Sequence, residues 1–220
     1  MVRFENVSFS HPSRSTGLKD LSLTIEKGSF IFFTAPTAEY KTTFLNLIYG
    51  TLLPNSGKIY VLDFLLPDDK DKIHKLRKQI GYIFHNFLFF DNLTVRENLI
   101  ITLLVKGKDK EHKSFNPEEI VDKALLKQHF LKPESVVSKL SSGEKQILNV
   151  LRAVISEPLL ILADEPLKHL HKEEAEYIMR MLEEEQRRGV TVVATSNTPA
   201  IPESYNKDYL MLKGGKIIQK

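Results

Sequence analysis

Short, uniformly apolar segments alternate with helical segments along most of the chain. The runs "SFIFFTA", "LLILA" and "VTVVAT" are apolar at nearly every position rather than at alternate positions. Strands buried on both faces of a parallel sheet have this pattern, because helices cover both faces of such a sheet. Helical patterns follow two of the runs, over residues 42–48 and 172–188. The sequence therefore predicts an α/β fold with a largely parallel core sheet.

The strand signal stops over residues 91–156, where helical signals replace it. Thr94 and Glu97 have the spacing of a capping box before "NLIITLLV". Asn116 followed by Pro117 has the form of a second helix start, with a capping residue before an N1 proline. These signals predict a helical subdomain inserted into the core.

Composition limits the classes of function. The chain has 220 residues and a formal net charge of only +3, from 31 basic and 28 acidic side chains. This balance gives no electrostatic case for binding nucleic acid. The absence of cysteine excludes disulfide bonds and thiolate chemistry. "MVRFENVSFS" alternates like a strand rather than a signal peptide, and no apolar run approaches the ~20 residues of a membrane helix, so we expect a cytoplasmic protein.

One strand and the helix after it have the frame of a phosphate-binding loop without its glycines. Residues 35–42 read A-P-T-A-E-Y-K-T, where the usual loop has G-x-x-x-x-G-K-[ST]. Lys41 and Thr42 match this motif, whereas both glycine positions differ. Glycine permits positive φ and a close approach of backbone N–H groups to phosphate, so Tyr40 in that conformation would cost roughly 1–3 kcal/mol. Two interpretations stay open: a slightly relaxed loop that binds phosphate, or a loop that no longer does.

A second strand, in "LLILADEP", ends in two carboxylates. Asp164 is expected to hold Mg²⁺, and Glu165 is expected to polarise the attacking water. We expect this strand and the strand before the loop to lie side by side, with their carboxyl ends converging where ligands bind. Together with Lys41 and Thr42, the two carboxylates predict a site for a nucleoside triphosphate.

A third motif determines the family that the chain resembles. "LSSGEKQILNVLRAV", residues 140–154, resembles the ABC signature, whose usual form is L-S-G-G-E-Q-Q-R. The whole chain is similar to ABC transporter nucleotide-binding domains. "FENVSF" and "LKDLSLTIEKGS" resemble their N-terminal β-subdomain, "LRKQIGYIFHNFLFFDNLTVRENL" their Q-loop region, and "GVTVVATSN" the strand before their switch histidine. Within the family, the resemblance is greatest to the FtsE cell-division group, with the LolD and MacB exporters near it.

The resemblance implies a P-loop NTPase fold of ABC type, with an N-terminal antiparallel β-subdomain and an inserted α-helical subdomain. It implies a single domain, 1–220, in which residues 1–90 and 157–220 form the core and β-subdomain and residues 91–156 carry the signature.

The resemblance also implies ligands and partners. The ligands are ATP and Mg²⁺, and the chain pairs with a second copy or with another ABC domain. The membrane partner is an FtsX-like or other ABC membrane subunit, which places the chain on the inner face of the plasma membrane. "FLFF", residues 87–90, falls where ABC domains receive a helix of that subunit, and ordinary core is the alternative for this segment.

Site residues follow from the resemblance position by position. The catalytic and sensing positions are Glu165, His85 and Ser196, and the metal-binding positions are Thr42 and Asp164. The nucleotide-binding positions are His11, Ala35, Pro36, Thr37, Ala38, Glu39, Tyr40, Lys41, Thr42, Thr43, Ser141, Ser142, Gly143 and Glu144.

The chain departs from the family pattern where the family senses the γ-phosphate. His85 replaces the Q-loop glutamine, Ser196 the switch histidine and His171 the D-loop aspartate. Serine is too short to reach a γ-phosphate as histidine does. Three hypotheses result. The first is a degenerate ABC subunit with weak or absent hydrolysis, the second is a working ABC ATPase with an unusual loop, and the third is a P-loop protein of another class, against which the signature argues.

Overall fold

Two sheets with helices on their faces make up the structure. The computed structural model describes residues 1–10, 17–66, 70–106, 116–126, 128–196, 208–213 and 216–219. In chain order the elements are β1 (Val2–Ser10), β2 (Gly17–Ile25), β3 (Phe30–Thr34), α1 (Ala38–Tyr49), β4 (Ser56–Val61), β5 (Phe64–Leu66), α2 (Lys70–Lys78), β6 (Ile80–Ile83), α3 (Val95–Lys106), α4 (Pro117–Leu126), α5 (Ser142–Val154), β7 (Leu160–Ala163), α6 (Lys172–Arg187), β8 (Thr191–Thr195), β9 (Asp208–Lys213) and β10 (Lys216–Gln219).

The first sheet is antiparallel and has the order β2-β1-β4-β5, which confirms the predicted N-terminal β-subdomain. On β1, Val2 and Phe4 are buried, and so are Val7 and Phe9. The buried residues change from even to odd positions between Phe4 and Val7, where the pairing with β2 shifts register and Asn6 has a φ of 48°. Because a bulge adds one residue, it keeps all four side chains on the core face.

The second sheet has the order β10-β9-β3-β8-β7-β6 and is parallel from β9 to β6, as the apolar runs predict. β9 and β10 form the closing antiparallel hairpin. One expectation is wrong: β3 and β7 do not lie side by side, because β8 pairs with both of them. β8 is buried along its whole length, which suits a central place between two other apolar strands.

This second sheet separates two hydrophobic clusters. Phe32 and Val192 belong to the cluster that also contains the buried side chains of α3, α5 and α6. Phe33 belongs to the other cluster, between the two sheets, which contains the apolar face of α1. There the Phe44 ring stacks on Phe33, with centroids 4.1 Å apart, and on Phe4 of the first sheet, at 5.3 Å. Helix α1 is therefore held between the two sheets by aromatic contacts.

Both predicted helix starts in the helical region are confirmed. The Glu97 carboxylate accepts the backbone N–H of Thr94 at 2.7 Å, and the Thr94 hydroxyl accepts the N–H of Glu97 at 3.2 Å, which is a complete capping box. The Asn116 side chain accepts the N–H of Glu119 at 3.3 Å at the start of α4. Among the described residues, no helix is long and apolar enough to cross a membrane.

The sequence interpretation missed β5 and α2, and it began α1 four residues late. Helix α2 buries only Leu76, has Ile73 as its one other apolar residue and is polar elsewhere, so it shows little apolar periodicity. Strand β5 has three residues, too few for an alternating pattern to be visible. The early start of α1 affects the candidate site directly.

The ammonium group of Lys106 ties α3 to neighbouring elements and gives a prediction about pH. Its Nζ donates to the carbonyl of Arg77 at 2.8 Å and to that of Ile80. Burial lowers the pKa of Lys106 from 10.5 to about 8. From about pH 8 to pH 10, the unfolded chain therefore binds more protons here than the folded chain, and stability should rise with pH.

We expect the free energy of unfolding of the parent protein, minus that of Lys106→Met, to increase over this pH interval in urea titrations. The methionine variant has similar length and no titrating group, so it serves as the matched reference. A difference that stays flat or decreases would contradict the assignment.

Candidate functional site

The carboxyl ends of β7 and β8 meet the first turns of α1. There Lys41 and Thr42 contact Asp164 and Glu165, which directly follow β7, and Thr195 closes the group from the end of β8. Parallel strands that end at one edge of a sheet bring together residues that are far apart in sequence. The predicted loop and carboxylates therefore converge even though β8 separates their strands.

The Asp164 carboxylate is buried and held by two hydroxyl groups. Thr42 Oγ1 donates to Asp164 Oδ2 at 2.9 Å, and Thr195 Oγ1 donates to Oδ1 at 2.8 Å. A carboxylate and a hydroxyl are the hard oxygen donors that Mg²⁺ prefers. The two residues predicted as metal ligands are thus adjacent and chemically suited to this ion.

The Glu165 carboxylate lies between two ammonium groups. Lys41 Nζ donates to Oε1, and Lys168 Nζ lies 2.9 Å from Oε2. The Glu165 side chain is 5% exposed and that of Lys41 is fully buried. Burial by itself would raise the pKa of Glu165, but the hydrogen bonds and charges of the two lysines outweigh it and lower the pKa below its ordinary value. A carboxylate with a lowered pKa is a weaker base toward water.

The backbone at Glu165 is left-handed, with a φ of 51°. Such a conformation costs a non-glycine residue of the order of 1–3 kcal/mol unless its surroundings hold it. The Glu165 N–H donates to Thr195 Oγ1 at 2.9 Å, and its carbonyl accepts the N–H of Lys168 at 3.1 Å. This turn directs the Lys168 side chain back toward the carboxylate three residues earlier.

The glycine-free loop is shorter than expected because α1 begins within it. Ala38, Glu39 and Tyr40 form the first helical turn, after Thr37 in extended conformation as the N-cap. Neither Ala35 nor these helical residues are among the described residues with positive φ. The cost that a positive φ would impose at Tyr40 therefore does not arise. The backbone avoids that conformation by starting the helix early.

Two residues of the loop line a neighbouring cleft. Pro36 and Tyr40 face Asn55 and the ends of β1 and β2 across a volume of about 670 Å³. His11, predicted as a nucleotide-binding position, follows β1 and lies outside the described residues. Thr43 is half-buried on α1.

The signature residues begin α5. The Ser141 hydroxyl accepts the N–H of Glu144 at 3.2 Å, and the Glu144 carboxylate accepts the N–H of Ser141 at 2.8 Å. Ser142 is exposed. Gly143 is buried beneath the carboxylate of Glu174, which occupies the space that a Cβ atom would need. This carboxylate is the far end of a flexible side chain that can move aside, so packing by itself does not require glycine at this position.

Three side chains on one face of α5 donate to backbone carbonyls of neighbouring segments. The pairs are Gln146 with Pro166 at 2.9 Å, Asn149 with Phe84 at 2.8 Å, and Arg152 with Leu88. Their spacing of three residues places them along one side of the helix. Helix α5 therefore connects the signature to the turn after Glu165 and to the aromatic segment, residues 87–90.

The aromatic segment is mostly exposed. Phe87 is 37%, Leu88 62% and Phe90 57% exposed. Phe89 packs partly against the core, and the guanidinium of Arg152 lies 4.6 Å from its ring centroid. The ordinary-core interpretation therefore applies to Phe89 and fails for the other three residues.

The two predicted sensing positions follow different strands. Ser196 follows β8 and lines a cavity of about 180 Å³ together with Glu165 and Lys168. His85 is exposed, beyond the end of β6. His171 is the N-cap of α6, where its N–H donates to a glutamate of that helix at 2.9 Å.

Two residues at the site were not predicted. Thr195 ends an apolar strand, and a hydroxyl at that point could have been recognised as a partner for a neighbouring strand end. Lys168 lies three residues after Glu165, a separation that gives a contact only if the chain turns there. Neither signal is distinctive in the sequence.

This fold has a lysine and a threonine at a helix start, two carboxylates at a strand end and a helical signature region. Together these features define an ATP-binding cassette. The family described as ABC transporter matches residues 18–168, and the chain belongs to this family.

Its relatives include cell-division proteins. The chain is 30% identical over 220 residues to the cell division ATP-binding protein FtsE of Bacillus subtilis strain 168, covering 100% of this chain and 95% of the relative. It is 32% identical over 198 residues to FtsE of Escherichia coli strain K12, covering 90% and 88%. These relatives confirm the predicted resemblance to the FtsE group.

A solved structure agrees with the fold. The dimeric, post-hydrolysis structure of an ATP-binding cassette bound to ADP and Pi has a TM-score of 0.87 and 25% identity, and the match covers 100% of this chain and 98% of that chain. The predicted P-loop NTPase fold of ABC type is confirmed.

The double role of Thr195 gives a stability prediction. Thr195→Val removes the hydroxyl that serves both Asp164 and the Glu165 N–H, and we expect it to lower the free energy of unfolding by about 2–4 kcal/mol. Thr195→Ser keeps the hydroxyl and loses one methyl group, which should cost about 1 kcal/mol. Chemical denaturation of both variants tests this. Equal losses would mean that the hydroxyl contributes little.

Proposed function

We propose that the chain is an FtsE-like ABC nucleotide-binding subunit with weak or absent ATP hydrolysis, acting as a scaffold or regulator in cell division or envelope remodelling. The observation that carries the proposal is the position of Ser196. It lines the cavity beside Glu165, where the family pattern has a histidine that contacts the γ-phosphate. The serine hydroxyl is too short for that contact.

The retained residues support nucleotide binding of the family type. Lys41 would contact the β- and γ-phosphates, and Thr42 and Asp164 would hold Mg²⁺. When bound, this ion would neutralise phosphate charge. The cleft lined by Pro36, Tyr40 and the ends of β1 and β2 would receive the base.

Pairing with a second ABC domain completes the proposal. Ser141 and Gly143 at the start of α5 would close on the γ-phosphate of the ATP that the second chain binds. That second chain is either another copy or a different ABC domain. Residues 91–156 form the helical signature subdomain in this scheme, and the remainder forms the core and β-subdomain.

A working ATPase is the second candidate. The observation that favours it is the convergence of Lys41, Thr42, Asp164 and Glu165 at one edge of the sheet. Under this alternative, the Glu165 carboxylate moves away from Lys41 and Lys168 when nucleotide binds, and it then orients the attacking water. Hydrolysis drives a conformational change in the membrane partner.

Turnover separates the two candidates. We expect phosphate release by the purified protein, with ATP and Mg²⁺, to equal that of Glu165→Gln, because the glutamine and histidine positions of the family are occupied by His85 and Ser196. Mg²⁺-dependent release that Glu165→Gln abolishes would establish the working ATPase instead.

The exposed aromatic segment supports a membrane partner of the FtsX type. Phe90 lines a groove of about 220 Å³ together with Ile101 and Val105 of α3, and with Arg152 of α5. An apolar groove of this kind fits the apolar face of an amphipathic helix. We propose that a cytoplasmic helix of an FtsX-like subunit binds here and holds the chain at the inner face of the plasma membrane.

Charge substitution in the exposed aromatic segment tests the partner. Leu88→Asp or Phe90→Asp should abolish co-purification with a co-expressed FtsX-like subunit, because burying an unpaired carboxylate in an apolar interface is costly. Leu126→Asp on α4, at a side chain that is 85% exposed, is the matched control and should not affect co-purification. Melting temperatures should match the parent for all three variants. Full co-purification by both aromatic-segment variants would refute this binding mode.

A further inference from the structure

The charges around Glu165 are arranged asymmetrically. Lys41 is fully buried on α1, and Lys168 is 37% exposed on the turn after β7. Both contact the same carboxylate, one at each oxygen. A buried ammonium group needs an anionic partner, because removing either charge from water costs several kcal/mol. Glu165 provides that partner from within the chain.

An anionic ligand that engages Lys41 must therefore compete with Glu165. Phosphate oxygens and the carboxylate carry the same sign of charge, so both cannot share one ammonium group without repulsion. The Glu165 side chain is only 5% exposed, so its carboxylate would be buried without a neutralising charge if a ligand displaced it from Lys41. A second cation must therefore stay with this carboxylate. Lys168 is already 2.9 Å from its other oxygen.

The backbone holds Lys168 in this position. The turn that starts at Glu165 is closed by the N–H of Lys168 at 3.1 Å, and Gln146 of α5 donates to the carbonyl of Pro166 within the same turn at 2.9 Å. The cavity of about 180 Å³ lined by Glu165, Lys168 and Ser196 provides space for the carboxylate to move away from Lys41.

We propose that Glu165 is an internal counter-ion of Lys41, and that Lys168 is a positioning residue that takes over this carboxylate when a polyphosphate engages Lys41. This inference rests on the proposed nucleotide-binding function and adds a condition to it: binding requires an exchange of ion pairs within the chain. The glycine-free loop alone does not impose that condition.

Binding of inorganic pyrophosphate, measured by calorimetry with EDTA present so that metal plays no part, tests the exchange. Glu165→Gln removes the competing charge, and we expect it to raise pyrophosphate affinity at least tenfold, or about 1.4 kcal/mol. Lys168→Met should lower the affinity of the parent protein at least about fivefold, because the displaced carboxylate then has no cation to receive it.

Controls distinguish this role from general surface charge. Lys172→Met removes an exposed lysine on α6 and should reduce affinity less than twofold. Lys168→Arg keeps the cation and should bind like the parent. In the Glu165→Gln background, Lys168→Met should have no more effect than Lys172→Met, because the carboxylate through which Lys168 acts is gone.

A spectroscopic measurement covers the case in which Glu165→Gln does not fold. In protein with ¹³C-labelled glutamate carboxyl groups, Lys168→Met should shift the carboxyl resonance of Glu165 at neutral pH, because one of the two cations in contact with this carboxylate is removed. Lys172→Met should leave it unchanged.

Two results would overturn the inference. One is a Glu165→Gln variant that binds pyrophosphate no better than the parent, and the other is a Lys168→Met effect of equal size in both backgrounds. These results are independent of turnover. ATP hydrolysis by the parent would refute the proposed loss of activity and leave the ion-pair exchange intact.

Discussion

The buried ion pair between Lys41 and Glu165 is the constraint on which the site depends. It joins the first turns of α1 to the end of β7, so it fixes the helix that follows the loop against the strand that carries both carboxylates. Charges so deeply buried are tolerated only when they are paired and hydrogen-bonded. The aromatic stack around Phe44 holds α1 in the place where this pairing is possible.

The phosphate loop and the end of β7 differ in backbone conformation. At the loop, the chain avoids positive φ by extending α1 to Ala38. At the strand end, Glu165 adopts positive φ although it is not glycine, and Thr195 and the turn to Lys168 hold it there. The backbone strain in this site is therefore located at the carboxylate and not at the phosphate loop.

Helix α5 links the three parts of the molecule that the proposed function requires. Its N-terminus is the signature, and its polar face holds the turn after Glu165 and the aromatic segment through backbone carbonyls. A displacement of the aromatic segment by a bound helix would act on the same helix that supports the Glu165 turn. Close-packed interiors transmit strain between the elements that they join.

The sequence by itself determined most of the strands, the helix starts at Thr94 and Asn116, and most of the chemistry of the site. Fully apolar runs predict buried parallel strands, and capping boxes are local, since Thr94 and Glu97 lie in one helical turn. Motif spacing identified Lys41, Thr42 and Asp164, which do converge. Such signals are readable because each involves neighbouring residues or a fixed pattern.

Only the tertiary structure decided what these groups contact. The place of β8 between β3 and β7 brings Thr195 to both carboxyl-bearing residues. The turn at Glu165 brings Lys168 to its carboxylate, opposite Lys41. These contacts depend on strand order and on one left-handed backbone angle, and neither leaves a periodic signal in the sequence. The motifs therefore name the ionisable groups, and the fold determines which charges pair.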